Sequence, residues 1–317
     1  MNYRRLGNSG LRVSEISLGG WLTHGRSLSD NDTSQIVHKA FDLGVITFDT
    51  ADIYNKGEAE LSLGRVIKDL RREDLVIATK CFWPMSDNPN DQGLSRKHIS
   101  ESVHGSLKRL DMDYVDLFQF HRFDPHTPIE ESVAAIGDLI KQGKVLYWGV
   151  SEWTAAQIAQ AHHFSRQLGV IPPVSNQPRY SIYERYIEKD ILKTSEQLGM
   201  GQIVFSPLAQ GLLTGKYLPG QPFPSDSRAA DDKSNQFMKH LMTEAHLVEV
   251  QELVKIANKL GCTVGQLSLA WCLRQPGVSS CIVGASKISQ IEENVGGSGL
   301  VIPAEIWDEI DRITTPE

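Results

Sequence analysis

Residues 115 to 151 read VDLFQFHRFDPHTPIEESVAAIGDLIKQGKVLYWGVS, and this stretch holds the unit from which the chain is built. Its two ends, Val115 to His121 and Val145 to Ser151, are short runs rich in apolar, β-branched and aromatic residues. Such near-continuous runs mark strands covered on both faces, as in parallel sheets, whereas a half-exposed antiparallel strand would alternate. Between them, Thr127-Pro128-Ile129-Glu130 offers a helix cap, a proline at the first helical position and a capping-box glutamate. Gly143 then stands where a helix ends in a left-handed residue.

Working outward, six further runs have the same character: near 16–18 (ISL), 46–50 (ITFDT), 75–80 (LVIATK), 173–177 (PVSNQ), 202–208 (QIVFSPL) and 279–285 (SCIVGA). Helical stretches separate them. One is expected near 57–69, another opens on the cap-and-box pattern Thr154 to Gln157, and Gly44, Gly169 and Gly199 close others just before a strand. Strand–helix alternation permits an open doubly wound sheet or a closed barrel, and eight evenly spread units favour the barrel. A dinucleotide-binding open sheet would carry G-x-G-x-x-G after its first strand, but ISLGGWLTHG supplies only Gly19-Gly20. The expectation is therefore an α/β chain forming a single (β/α)8 TIM barrel domain over residues 1–317. Two segments break the rhythm. Residues 1–14 look like a hairpin about Gly7-Asn8-Ser9-Gly10 that plugs the barrel floor. Residues 209–243, after the seventh strand, form an insertion too long for a passive connection, as a lid or cofactor clasp would be.

Composition sets outer bounds. In 317 residues, 40% hydrophobic and 22% charged, no apolar run approaches the length of a membrane span, and Met1 to Arg5 lacks the apolar stretch of a signal peptide. A cytoplasmic protein is expected. The net charge of -7 argues against nucleic acid or an anionic membrane as partner, so an anionic cofactor would need local cations. Cys81, Cys262, Cys272 and Cys281 form no C-x-x-C pair, which fits a reducing compartment and suggests neither a disulfide framework nor a zinc site.

In such a barrel the active site lies where strands end. The expected strands end in Asp49, Lys80, His121, Ser151, Gln177 and Ser206; each alone could be a cap or a packed polar residue, but together they would share one mouth. Tyr54 stands five residues past Asp49. A phenol beside an ammonium makes a serviceable general acid, because the cation of Lys80 would draw the Tyr54 pKa towards the operating pH. Asp49 would keep Lys80 charged, and a neutral His121 could polarise a carbonyl oxygen. His121-x-x-Asp124-x-His126 could be read as metal ligands, but nothing else clusters with them, and no metal is expected. Trp21, Trp83 and Tyr54 could form the walls of a pocket for apolar or aromatic carbonyls.

At these residues the sequence resembles the aldo-keto reductase family. FDTADIYNKGEAELSLGRVI, ATK and FQFHRFDP match its tyrosine, lysine and histidine motifs, and the likeness extends over essentially the whole chain through WGVSEW, SNQPRYS, FSPLAQGLLTGKY, SRA and IVGASKISQIEEN. The last segments look most like the branch containing potassium-channel β-subunits and their bacterial reductase relatives. The resemblance implies a catalytic tetrad of Asp49, Tyr54, Lys80 and His121 and an NADPH cofactor, with NADH as the alternative. It implies that Ser151 and Gln177 hold the nicotinamide carboxamide, with Asp49, Gly20 and Trp21 beside them, and that Phe205 stacks on the nicotinamide. Ser206, Leu208, Gly211, Lys216 and Arg228 would close over the pyrophosphate, and Gly284, Ser286, Gln290, Glu293 and Asn294 would meet the adenosine end. Gln290 stands where many relatives have an arginine, with Ser286 and Lys287 able to compensate, and Glu152 where relatives often have asparagine or arginine. Channel β-subunits carry an amide where this chain has His121, so the chain looks equipped for turnover.

The resulting expectation is reduction of an aldehyde or ketone, a small-molecule carbonyl substrate, with Tyr54 as proton donor. Two alternatives stay open: a redox-sensing NADPH-binding subunit of a partner protein, and a Schiff-base aldolase using Lys80. Relatives that form rings make a homo-oligomer a further expectation.

Overall fold

The computed structural model describes residues 1–225, 227–231 and 235–314, so positions 226 and 232–234 of the expected insertion and the last three residues of the expected domain lie outside it. Two antiparallel strands, β1 (Tyr3–Arg5) and β2 (Arg12–Ser14), come first. Eight parallel strands follow: β3 (Ile16–Gly19), β4 (Thr47–Asp49), β5 (Val76–Cys81), β6 (Val115–Phe120), β7 (Val145–Ser151), β8 (Ser175–Gln177), β9 (Gly201–Phe205) and β10 (Val278–Val283). Each pairs with the next, and β10 returns to pair with β3, closing the expected barrel. Helices α1 (Asp30–Asp42), α2 (Glu58–Val66), α3 (Arg96–Leu110), α4 (Ile129–Lys141), α5 (Ala155–Leu168), α6 (Ile191–Leu198), α7 (Glu244–Lys259), α8 (Val264–Leu273), α9 (Ile288–Val295) and α10 (Ala304–Thr314) complete the elements. Among the described residues no helix is long and apolar enough to cross a membrane.

Strand alternation sorts the side chains into two cores. Ile77, Phe118, Phe120, Trp148 and Val150 face outward into the layer shared with the helices. Their neighbours point into the barrel, where Val76, Ala78, Leu117, Val174, Ile203 and Ile282 form a small interior cluster with Leu6 and Val13 of the hairpin. The hairpin is thus the floor plug expected of it. Its turn needs Gly7, which sits at φ +57° with a Cβ position only 2.2 Å from the carbonyl oxygen of Gly199.

Some boundaries differ from expectation. The sixth strand starts at Ser175 because Pro172 and Pro173 have no N–H to give to a ladder. The seventh stops at Phe205 because Ser206 turns to φ +56°. The capping box Thr154–Gln157 forms at α5 as expected. The one at α4 does not: Pro128 is the cap residue, and the Thr127 hydroxyl instead donates to Asp124 at 2.8 Å. The described part of the insertion is folded onto the barrel, with Leu212, Leu213, Tyr217 and Met238 fully buried in the outer core.

Candidate active site

Parity along the strands decides what reaches the barrel mouth. Counting by twos from Ala78 and Leu117, both interior, brings Lys80 and His121 inward at the ends of β5 and β6. Ser151 and Gln177 end β7 and β8 as register partners, and Asp49 ends β4 beside Gly19. Tyr54 arrives by a loop laid along β5, with the backbone N–H groups of Thr50 and Asp52 donating to the carbonyls of Ala78 and Lys80. Asn55 and Lys56 take left-handed conformations at φ 49° and 54°, held because the Asn55 amide donates to the Gly25 carbonyl and the Lys56 ammonium to Pro84 at 2.6 Å. Strain of this kind is stored where the surroundings over-determine the backbone.

Lys80 is the hub of the site. Its ammonium, with no exposed surface, donates to Asp49 Oδ2 at 2.7 Å, to the Thr50 carbonyl at 2.7 Å and to the Tyr54 hydroxyl at 3.2 Å. Asp49 Oδ1 accepts from the Gln177 amide at 2.8 Å, so both carboxylate oxygens are engaged. The His121 ring lies edge-on to Tyr54, centroids 5.8 Å apart. Burial pushes the Lys80 pKa down, but Asp49 and Tyr54 more than offset it, and the amine stays an ammonium. Burial together with Lys80 and Arg122 holds His121 well below its ordinary value, so the imidazole is neutral.

Tyr54 departs from expectation. Lys80 does pull its pKa down, but burial raises it by more and Asp49 adds to the rise, so the phenol sits above its ordinary value. Lys80 therefore limits the cost of forming phenolate without making Tyr54 acidic in the resting site. Asp124 serves to hold its loop, accepting from the N–H groups of His126 and of the distant Leu94 and from the Thr127 hydroxyl.

The remaining residues of interest line two further parts of the rim. Ser151 donates to the Gln177 carbonyl at 2.8 Å. Glu152, at φ 59°, accepts at 2.6 Å from both the Arg179 N–H and the Tyr186 hydroxyl. The Arg179 guanidinium lies 5.5 Å from the centre of the Phe205 ring. Gly20 donates to the Asp49 carbonyl at 3.0 Å, while Trp21 packs edge-on against Phe237 of the insertion at 4.8 Å, tying the loop after the first barrel strand to the one after the seventh. On the insertion, Arg228 donates to the Gln210 side chain, which donates on to Ser206. Lys216 is exposed and its ammonium lies 4.0 Å from where Gly211 would carry a Cβ. At the far rim, Gln290 accepts from the Ser286 N–H at 2.7 Å at the start of α9, Asn294 is buried and Glu293 exposed. Leu208 packs against the outer core.

This donor set suits a phosphate-bearing dinucleotide. Gly284 at the end of β10 is exposed and has open space where a Cβ would go. Gly211, at φ +102°, keeps side-chain bulk away from the Lys216 ammonium. The insertion thus carries two cations, Lys216 and Arg228, of the kind that phosphates require.

A model of the aldo/keto reductase family matches residues 15–315. The chain belongs to that family. A protein of Oryza sativa subsp. japonica, named a probable voltage-gated potassium channel subunit beta, is 42% identical over 99% of this chain and 96% of its own length. A protein of Arabidopsis thaliana with the same name is 43% identical over 99% and 96%. One from Schizosaccharomyces pombe, also described as a voltage-gated potassium channel subunit beta, is 44% identical over 98% of this chain and 92% of its own. This aldo/keto reductase therefore shares nearly its full length with proteins named for a channel.

Motif reading missed several residues that shape the site. Behind Tyr54 lies a buried polar cluster: Ser102 donates to Asp52 at 2.7 Å, while Thr79 and Arg109 each donate to Glu60 at 2.6 Å. Cys81 abuts it, and burial raises its thiol pKa well above normal, leaving it inert. Arg122, directly after His121, also reaches the mouth, where its guanidinium donates to the Ser151 hydroxyl at 3.4 Å.

Proposed function

We propose that this chain is an NADPH-dependent reductase of aldehydes or ketones in which Tyr54 donates the proton to the carbonyl oxygen. The observation that carries the reading is the buried Lys80 ammonium, held by Asp49 and touching the Tyr54 hydroxyl at 3.2 Å. NADPH, when bound, supplies the hydride. Ser151 and Gln177 would hold its carboxamide, Phe205 would face its ring, Lys216 and Arg228 would meet its phosphates, and Ser286, Gln290, Glu293 and Asn294 its adenosine end. The raised Tyr54 pKa keeps the phenol protonated at neutral pH, which suits an acid in the reducing direction. As the proton leaves, Lys80 stabilises the phenolate by charge and hydrogen bond. Neutral His121 offers an N–H to the carbonyl oxygen.

The charged state of Lys80 speaks against the aldolase reading, since a Schiff base needs a neutral amine. The names of the relatives favour a second reading, an NADPH-holding subunit that docks on a channel. Steady-state NADPH oxidation with a panel of aldehydes separates the two. A reductase consumes many equivalents of NADPH per chain, whereas oxidation that stops after one equivalent would favour the sensor.

A further inference from the structure

The geometry points to Arg122 as an anion-binding residue of the substrate pocket, so that the preferred carbonyl compounds carry a carboxylate or phosphate group. This deepens the reductase reading and rests on it. Arg122 directly follows His121, and its guanidinium lies over Trp83, 5.7 Å from the ring centre. Trp83 in turn meets His121 edge-on at 6.3 Å, and His121 meets Tyr54 at 5.8 Å. Phenol, imidazole, indole and guanidinium therefore form one continuous wall, with the proton donor at one end and a cation at the other.

Among the described residues no carboxylate forms an ion pair with this cation, although the charge of Glu152 acts on it from a distance. Its hydrogen bonds go to neutral oxygens, the His121 carbonyl at 2.5 Å and the Ser151 hydroxyl at 3.4 Å. Of the nearby acids, Asp49 is held by Lys80 and Gln177, while Glu152 accepts through one oxygen from the Arg179 N–H and the Tyr186 hydroxyl and forms no hydrogen bond or ion pair with Arg122. Arg179, the neighbouring arginine, is neutralised by Glu184 at 2.9 Å. A guanidinium stays protonated even when partly desolvated, and its planar fork matches a carboxylate or phosphate better than any other side chain. Two N–H groups on Arg122 can serve a ligand while Nη1 stays anchored to the backbone. Trp83, 38% exposed, leaves the adjoining surface open to a substrate body. Of the three residues expected to wall the pocket, Tyr54 and Trp83 both border His121, whereas Trp21 packs on Phe237, and the aromatic row leads to a charge.

The test compares two aldehydes of similar size, 4-carboxybenzaldehyde and 4-methylbenzaldehyde, with wild type and Arg122→Met. Wild type should favour the carboxylate compound in kcat/KM, and the substitution should lower that preference roughly 10- to 100-fold, the worth of a charged hydrogen bond. Arg122→Lys should restore part of it. A ratio that is the same in wild type and Arg122→Met would overturn the proposal. Benzoate binding, followed by tryptophan fluorescence with and without NADP, gives a readout independent of turnover. Saturable binding weakened in Arg122→Met supports the anion site even if neither aldehyde is reduced, a result that would remove the reductase reading instead. Benzoate binding that is absent, or equal in both proteins, overturns the anion site.

Discussion

Replacing Asp49 by asparagine changes no shape and removes one charge, yet the structure makes it costly. Both carboxylate oxygens accept hydrogen bonds, one from Lys80 at 2.7 Å and one from Gln177 at 2.8 Å. An asparagine has one acceptor and one NH2, so either orientation sets a donor against a donor. The larger loss is electrostatic: Lys80 has no exposed surface and would keep only the Thr50 carbonyl and the Tyr54 hydroxyl. Breaking a buried pair from one side costs about 3–5 kcal/mol, which for a chain of this size lowers Tm by roughly 5–8 °C. Burial already works against the Lys80 charge, so the amine of the variant would shift towards neutrality. Urea unfolding of wild type, Asp49→Asn, Lys80→Met and the double variant measures the effect. The double variant should be less destabilised than the sum of the singles by at least about 2 kcal/mol, because the second substitution removes a charge already stranded. Additivity to within about 0.5 kcal/mol would refute the reasoning.

Three other outcomes follow from particular contacts. Burial raises the Asp52 pKa from 3.8 to about 7, so Asp52 binds its proton more tightly folded than unfolded; its contribution is full below about pH 4 and lost as pH rises to 7. Asp52→Asn should therefore gain on wild type with rising pH, by up to roughly 4 kcal/mol at about 1.4 kcal/mol per unit; urea midpoints from pH 4 to 8 that move in parallel would contradict this. Gly7→Ala should lower stability by about 2 kcal/mol or more, since a Cβ would be strained at positive φ and press on the Gly199 carbonyl, and an unchanged urea midpoint would disprove the floor-plug packing. Arg228→Ala should weaken NADPH binding roughly 10- to 100-fold in a fluorescence titration, and unaltered affinity would count against the clasp.

How much of this could be read from the sequence depended on the range of the interactions involved. Strands such as Val145 to Ser151 announce themselves through local composition, and alternation then carries Lys80 and His121 to one mouth without knowledge of any contact. The helix-ending glycines Gly44, Gly143, Gly169 and Gly199 all have positive φ, because a left-handed cap is a local demand. Local patterns failed where a distant group competed. Thr127 looked like a cap, but Asp124 claims its hydroxyl while also bonding the Leu94 N–H from 30 residues away. The Asp52, Glu60, Arg109 cluster joins α2, β5 and α3 across up to 50 residues and has no one-dimensional signature. The Tyr54 pKa went the wrong way for the same reason: pairing the phenol with Lys80 was legible, but the depth of its burial was not. Arg122 was not legible because an arginine after a strand ordinarily points to solvent, and its bonds to the His121 carbonyl and Ser151 and its place over Trp83 belong to the tertiary structure.

The central claim is that Tyr54, backed by Lys80, gives its proton to the carbonyl oxygen, and Tyr54→Phe tests it most directly because the ring and its packing survive while the hydroxyl does not. NADPH affinity measured by fluorescence titration should stay within a few-fold of wild type, while kcat for aldehyde reduction falls by about 10²–10⁴. A phenylalanine variant that turns over at close to the wild-type rate would contradict the account.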